Sequence, residues 1–246
     1  MNQKIKIFLK NSTPAFLINF YNFFQKERKI NMADLNTKEV FSKIYNENSW
    51  GSKESVSGPG SNFNQTNVMI GKLDHLFQKY NVTSILDAPC GDFNWMNLVN
   101  LEGINYLGID IVEELVHKNK SKYSYKTGVK FRYGNIISDP LTQVDLILCR
   151  DCLVHFSFDD IKKTLNNIKR SGAKYLLTTS FTNRSKNINI TTGDWRPLNL
   201  AIMPLNLGSP KEIIMEEYMG DEGRFADKSM VLWDIKSIPD KFFIYE

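Results

Sequence analysis

From Asn81 onward the chain alternates short, continuously apolar runs with stretches of helical spacing. The runs are SILDAP, NYLGIDI, KFRYGNI, VDLILCRD and KYLLTTSF, and the stretches between them are FNWMNLVNLEG, VEELVHKNKSKY and FDDIKKTLNNIKRSG, the last of them stopped by Gly172. Strands this apolar are buried on both faces, and a repeat of strand, helix and strand forms a parallel sheet with helices on both faces. The sequence therefore predicts an α/β fold.

The C-terminal part of the chain predicts the rest of the sheet. A long loop with three prolines, TNRSKNINITTGDWRPLNLAIMPLNLGSP, is followed by two strand-like runs, KEIIMEEYMG and KSMVLWDIKSI. Two such runs joined by a short polar turn are typical of an antiparallel hairpin. We expect a Rossmann-like, seven-stranded, mostly parallel sheet that ends in an antiparallel C-terminal hairpin, with extra N-terminal helices.

The N-terminal third divides into two parts. Residues 1–31 form a basic and apolar extension, and residues 32–80 carry two predicted helices joined by the segment GSKESVSGPGS. The main domain then covers residues 81–246. The apolar run PAFLINFYNFF in the extension is too short to span a bilayer. It predicts a packing helix or a disordered extension, with membrane-surface contact as the alternative.

Composition narrows the class of partner. Three cysteines in 246 residues do not form a disulfide framework and favour the cytoplasm. The net charge of +4 is small and spread along the chain, which favours a small anionic acceptor over nucleic acid.

The turn DAPCGDF follows the first core strand, where ligands collect in open α/β sheets. Gly91 lets the backbone approach a ligand, and a helix after the turn would present free amides. A dinucleotide needs the glycines of GxGxxG to hold its pyrophosphate. Here Asp92 stands where a phosphate would lie, which favours a cofactor that carries positive charge.

The next two strands specify a nucleoside. The second strand ends in Asp110, 23 residues after Asp87, at the position from which a carboxylate binds ribose hydroxyls. The third strand ends in Asn135 and Ile136, which are placed to hydrogen-bond and pack an adenine. A ribose without a pyrophosphate, joined to a cation whose ammonium meets Asp87, describes S-adenosylmethionine.

These motifs resemble the class I S-adenosylmethionine-dependent methyltransferases over residues 81–240. The resemblance implies that S-adenosylmethionine is the cofactor and that Asp110 binds its ribose. It also implies that Ile111, Asn135 and Ile136 hold the adenine and that the turn lines the methionine moiety through Asp87, Ala88, Pro89 and Gly91. The chain departs from the glycine-rich pattern of the family at Pro89 and Phe93.

A narrower resemblance rests on WGSKESVSGPGS, LDAPCGDFNWM, CRDCLVHFS and TGDWRPLNL. Together they are similar to bacterial methyltransferases of surface-polysaccharide loci. Within that group they resemble enzymes linked to the O-methyl phosphoramidate decoration of capsules. This resemblance implies a role in capsule biosynthesis.

The segment CRDCLVH after the fourth strand carries the candidate catalytic groups. His155 would act as a general base toward a hydroxyl, or would only pack. Asp151 would assist it or neutralise Arg150, and Arg150 is a candidate cofactor contact. Cys149, Cys152 and His155 have zinc-like spacing. Alternation along a strand points the two thiols in different directions, so we predict buried cysteines and no metal.

The remaining candidates lie in loops. Arg196 would grip an anionic acceptor bidentately while Trp195 flanks it, and Trp50 with the SGPGS segment would fold over the cofactor as a lid. The alternative for Trp195 and Arg196 is a loop anchored by one aromatic residue.

The sequence thus predicts a cytoplasmic methyltransferase that methylates an oxygen of a small anionic or sugar-linked acceptor. An NAD(P)-linked reductase and a noncatalytic S-adenosylmethionine-binding domain are the alternatives.

Overall fold

The computed structural model describes residues 34–217 and 223–239. The predicted N-terminal extension, residues 1–31, lies outside this range. Residues Thr37–Glu246 group into one compact unit, so the two predicted N-terminal helices belong to the same unit as the sheet. Within the described part of the chain, no helix has the length and apolar character needed to cross a membrane.

The sheet has seven strands in the order β3-β2-β1-β4-β5-β7-β6. Strands β1 to β5 are parallel to one another, whereas β7 runs antiparallel to both β5 and β6. The predicted sheet is therefore confirmed. The strands are β1 Ser84–Asp87, β2 Asn105–Asp110, β3 Val129–Tyr133, β4 Leu146–Cys149, β5 Tyr175–Phe181, β6 Glu212–Met215 and β7 Lys228–Asp234.

Alternate strand residues bury themselves against different helices. The described residues form four α-helices: α1 Thr37–Asn46, α2 Phe63–Lys79, α3 Glu113–Lys122 and α4 Phe158–Arg170. Leu86 of β1 belongs to the apolar cluster that contains the buried face of α4, whereas its neighbour Ile85 belongs to the cluster that contains α2. Successive side chains of a strand point to opposite faces, so the sheet is covered on both sides.

Helix α4 shows why these residues form a helix at this point. Ser157 caps it by accepting from the backbone N–H of Asp160, and acidic residues in its first turn and basic residues in its last turn complement the helix dipole. Gly172 follows at a φ of +73°, which confirms the predicted stop.

The predicted helix FNWMNLVNLEG is wrong. The structure has only one 3-10 turn there, Met96–Leu98. Phe93 takes a φ of +58°, and its ring packs against those of Tyr106, Tyr123 and Phe131 at 4.9 to 5.2 Å between centroids. Burial of this aromatic group outweighs local helical spacing, so no helix N-terminus follows the turn at Asp87.

The long loop, residues 182–211, is held in place by Arg196, which is only 2% exposed. Its guanidinium donates to the carbonyls of Leu153 at 2.8 Å, Phe156 at 2.7 Å and Ile188 at 3.3 Å. These contacts correct the prediction that Arg196 grips an acceptor, because its donors are used inside the protein. Trp195 is 45% exposed and packs edge-on against Phe181 and Phe225.

Replacing Arg196 with Ala should destabilise the fold by about 2 to 4 kcal/mol, because two buried carbonyls and one partly buried carbonyl lose their donor. Chemical denaturation measures this loss. The exposed Arg132 offers a matched control, for which Arg132→Ala should change stability by less than about 0.5 kcal/mol. An Arg196→Ala variant as stable as the parent would show that these bonds do not anchor the loop.

Candidate active site

A pocket opens at the carboxyl ends of β1, β2, β3 and β4. Strand β1 lies between β2 and β4, so the direction of winding changes there, which is where open α/β sheets bind ligands. The structure brings most predicted site residues together along this pocket: Trp50, Asp87, Pro89, Gly91, Asp110, Ile111, Asn135, Ile136, Arg150, Asp151 and His155. Ala88 is buried in the core instead, and Trp195 and Arg196 lie in the long loop.

Asp87 ends β1 with a buried carboxyl group. Its Oδ2 accepts a hydrogen bond from the Tyr106 hydroxyl at 2.6 Å. Burial raises the pKa of Asp87 to about 7, and the nearby Asp110 adds to this, whereas Tyr106 and Arg150 oppose it. A carboxyl group with a pKa near neutrality is poised to accept a cationic ligand, since such a ligand favours its charged form.

Asp110 ends β2 beside it. One carboxylate oxygen accepts from the backbone N–H of Gly91 at 3.0 Å, and the other accepts from Val112 at 2.9 Å. Burial raises the pKa of Asp110 to about 6, although these amides favour the charged form. Since a carboxylate has about four acceptor positions, two remain for the hydroxyls of a ribose.

The pocket wall beyond Asp110 is apolar. Ile111 and Ile136 line it together with Phe41 of α1 and Phe156, as an adenine site requires. Asn135 also lines it, but its side-chain oxygen accepts from the backbone of Ile137 at 2.9 Å. That bond fixes the turn after β3.

A strap of chain, residues 50–61, which we call the lid segment, reaches the pocket through Trp50, Val56, Ser57 and Ser61. Asp92 holds it: the carboxylate accepts from Ser55 Oγ at 2.9 Å, the Val56 N–H at 3.0 Å and Ser57 Oγ at 3.2 Å. The sequence interpretation, in which Asp92 selects a cationic cofactor, is therefore corrected: Asp92 is the latch of the lid segment.

Gly91 permits this latch. Its φ is +54°, and a Cβ there would lie 2.1 Å from Ser57 Oγ. Any larger residue would push the lid segment away from the turn, so this glycine is required for the lid as well as for the approach of a ligand.

His155 lies in the pocket wall after β4. Its Nδ1 is 2.9 Å from the carbonyl of Asp194, so Nδ1 carries the proton and Nε2 is the basic nitrogen. Burial lowers its pKa, which keeps the ring neutral at pH 7, although the Asp194 carbonyl and Asp151 oppose the shift. The Trp50 ring covers it with 5.4 Å between centroids.

Arg150 and Asp151 belong to an ion-pair network. The Arg150 guanidinium donates to both oxygens of Glu216, at 3.0 and 2.7 Å, and Lys228 Nζ lies 2.7 Å from Asp151 Oδ2. Burial alone would raise the pKa of Asp151, but Lys228 and Arg150 hold it well below its usual value. Asp151 is thus a fixed anion and a poor base.

The three cysteines are all buried and free. Across residues 34–217 and 223–239, no group of three or more histidine, cysteine or acidic side chains is placed to hold a metal ion. Cys149 and Cys152 lie in the apolar cluster under α4, as buried cysteines do.

Sequence reasoning missed the residues that support the site. Tyr106 holds Asp87 from 19 positions away, Ser55 and Ser57 reach Asp92 across more than 34, and Lys228 reaches Asp151 across 77. No local pattern marks such partners. In the sequence, only the polar groups of Tyr106 and Lys228 within mainly apolar strands point to such partners.

Known proteins share a domain and a fold with this chain. Residues 85–173 match the family model described as a methyltransferase domain. The matched residues run from β1 to the end of α4 and support the prediction of a methyltransferase over this part of the chain. A search of curated proteins finds no match.

Solved structures share the fold. Human N-acetylserotonin methyltransferase with bound S-adenosylmethionine is 14% identical over 81% of this chain, with a TM-score of 0.55, and the chain spans 60% of that protein. Magnesium protoporphyrin IX methyltransferase from Synechocystis PCC 6803 is also 14% identical over 81% of the chain and 97% of its own length, with a TM-score of 0.56. Both support the Rossmann-like fold.

The cofactor site predicts a pH-dependent affinity. S-adenosylmethionine should bind about tenfold more tightly at pH 8 than at pH 6, because Asp87, with a pKa of about 7, must lose its proton to meet the cation. The raised pKa also makes the ligand-free protein less stable as the pH rises from about 4 to about 7, which scanning calorimetry measures. Titration calorimetry from pH 6 to pH 8 measures the change in cofactor affinity. Asp87→Asn should weaken binding and flatten the profile, and an unchanged profile would remove Asp87 from the site.

If Asp92 holds the lid segment, removing its hydrogen bonds should make that segment more accessible to a protease. Asp92→Asn should raise the rate of proteolysis within residues 50–61 by roughly tenfold, the scale of one lost charged hydrogen bond. Asp74→Asn, on the exposed face of α2, is the matched control. Equal cleavage rates in the two variants would contradict a latch at Asp92.

Proposed function

We propose that this protein transfers a methyl group from S-adenosylmethionine to a hydroxyl oxygen of a small, sugar-linked acceptor. The observation that carries the proposal is the charge of the pocket. In the described part of the chain, Asp87 and Asp110 line it without a paired cation, and Arg150, the only lysine or arginine among the lining residues, is paired with Glu216. A pocket of this charge suits a cationic nucleoside.

The residues present fit S-adenosylmethionine. Asp87 would hold its ammonium and Asp110 its ribose hydroxyls, and Ile111 and Ile136 would pack its adenine. When bound, the cofactor supplies an electrophilic methyl group on a positively charged sulfur. The lid segment would exclude water from it, because Asp92 fastens that segment directly beside Gly91.

His155 is the candidate base. Its Nδ1–H donates to the Asp194 carbonyl, so Nε2 is free to take a proton from the acceptor hydroxyl. The lowered pKa keeps Nε2 unprotonated near neutrality. Positioning the acceptor oxygen in line with the methyl group supplies much of the rate in such a reaction.

The cations in and behind the pocket that the structure describes are all paired inside the protein, which bears on the charge of the acceptor. Arg196 is used elsewhere, and Arg150 and Lys228 are paired with Glu216 and Asp151. We infer that the reacting end of the acceptor is uncharged, as a sugar hydroxyl is, and that any negative charge lies outside the pocket. The capsule phosphoramidate acceptor rests on the sequence resemblance alone and stays a prediction.

Turnover tests the proposal. With labelled S-adenosylmethionine and a panel of free, phosphorylated and nucleotide-linked sugars, including phosphoramidates, we expect transfer to a hydroxyl acceptor. His155→Gln should lower kcat by roughly a hundredfold and leave cofactor affinity intact. His117, whose side chain is 70% exposed on α3, gives the matched control His117→Gln. Full activity of His155→Gln would exclude a base at this position.

A further inference from the structure

Lys228, the first residue of β7, lies behind the pocket wall, where it contacts the lining residue Asp151. It is only 8% exposed, and its Nζ lies 2.7 Å from Asp151 Oδ2 and 3.2 Å from Glu216 Oε2. A buried ammonium is expensive unless it is paired, so its position is set by these two carboxylates. Lys228 therefore joins the C-terminal hairpin to the segment after β4.

Arg150 completes a group of two cations and two anions. It is bidentate to Glu216, and its Nη1 lies 3.2 Å from Asp151 Oδ2 without a well-directed hydrogen bond. Since Arg150 is committed to Glu216, Lys228 is the principal partner of Asp151.

Asp151 is the member of this ion-pair network that lies next to the lid segment. The residue has a φ of +51°, and its Oδ1 accepts from Thr179 Oγ1 at 3.2 Å. Gly60 of the lid segment packs on the same carboxylate, and a Cβ at Gly60 would lie 2.8 Å from Asp151 Oδ2. His155 follows four residues later in the same wall. The position of one carboxylate thus bears on both the lid segment and the candidate base.

We propose that Lys228 is a positioning residue for methyl transfer, which acts by pinning the Asp151 carboxylate beneath the lid segment and neutralising it beside His155. The proposal deepens the proposed function and rests on it for the role of His155. It gives the C-terminal hairpin a role at the active site, because β7 carries the Lys228 ammonium and Glu216, directly after β6, pairs with it at 3.2 Å.

The charges that face His155 determine the expected direction of change. Asp151 favours the protonated imidazole, whereas Lys228 and Arg196 oppose it, and burial opposes it most. Removing Lys228 takes away one opposing cation and leaves Asp151 less neutralised. Both changes favour the imidazolium.

The test is an NMR titration of the histidine ring protons in the full chain. The sequence has three histidines, so His155→Gln assigns the signal of His155. In Lys228→Met the His155 titration should move upward by roughly one pH unit, and the acidic limb of the kcat profile should move with it. Lys228→Arg keeps the charge and should keep the parental titration.

A double variant shows whether Lys228 acts through Asp151. Lys228→Met with Asp151→Asn leaves Arg150 paired with Glu216 and the wall electrically balanced, so it should return the His155 titration to within a few tenths of the parental value. The same upward shift in the double variant as in Lys228→Met would overturn the proposal, and so would an unshifted single variant.

If Lys228→Met does not fold, Asp151→Asn alone decides. It leaves Lys228 on Glu216 and must move the His155 titration downward, so an unchanged titration overturns the proposal. The titration needs no turnover. Absence of methyl transfer with every acceptor would therefore count against the proposed function, separately from the role of Lys228.

Discussion

Two buried carboxyl groups at the ends of neighbouring strands are the constraint on which the rest of this structure depends. Asp87 and Asp110 lie where β1 and β2 end, and burial raises the pKa of both into the range from about 6 to about 7. Carboxyl groups are rarely buried unless they are paired. Tyr106 donates a hydrogen bond to Asp87, and two backbone amides donate to Asp110.

The lid segment depends on the same turn. Gly91 donates to Asp110, and the next residue, Asp92, fastens the lid segment through Ser55, Val56 and Ser57. The backbone that holds the Asp110 carboxylate is therefore continuous with the backbone that holds the lid segment. If Asp110 holds the cofactor as proposed, cofactor binding and the position of the lid segment would be linked through two adjacent residues, Gly91 and Asp92.

A second group of charges supports the opposite wall. Arg150, Glu216, Lys228 and Asp151 neutralise one another where β4, β6 and β7 end or begin. Because these cations are paired, the part of the wall formed by residues 34–217 and 223–239 offers no free positive charge to an acceptor. In the proposed reaction, the chemistry of the acceptor would then depend on His155 and on the surfaces around it.

The amino-acid sequence determined the sheet, the cofactor class and most of the pocket. Apolar runs at regular spacing predict buried strands, and Asp87, Asp110 and Asn135 each follow such a run, so the parallel topology brings them to one edge. Tertiary structure alone decided the fate of FNWMNLVNLEG, where packing of Phe93 replaced a helix, and that of Arg196, whose donors meet carbonyls 8 to 43 residues away. The physical reason is reach: local spacing encodes which face of an element is apolar, whereas the partner of a buried polar group is set only when distant segments pack.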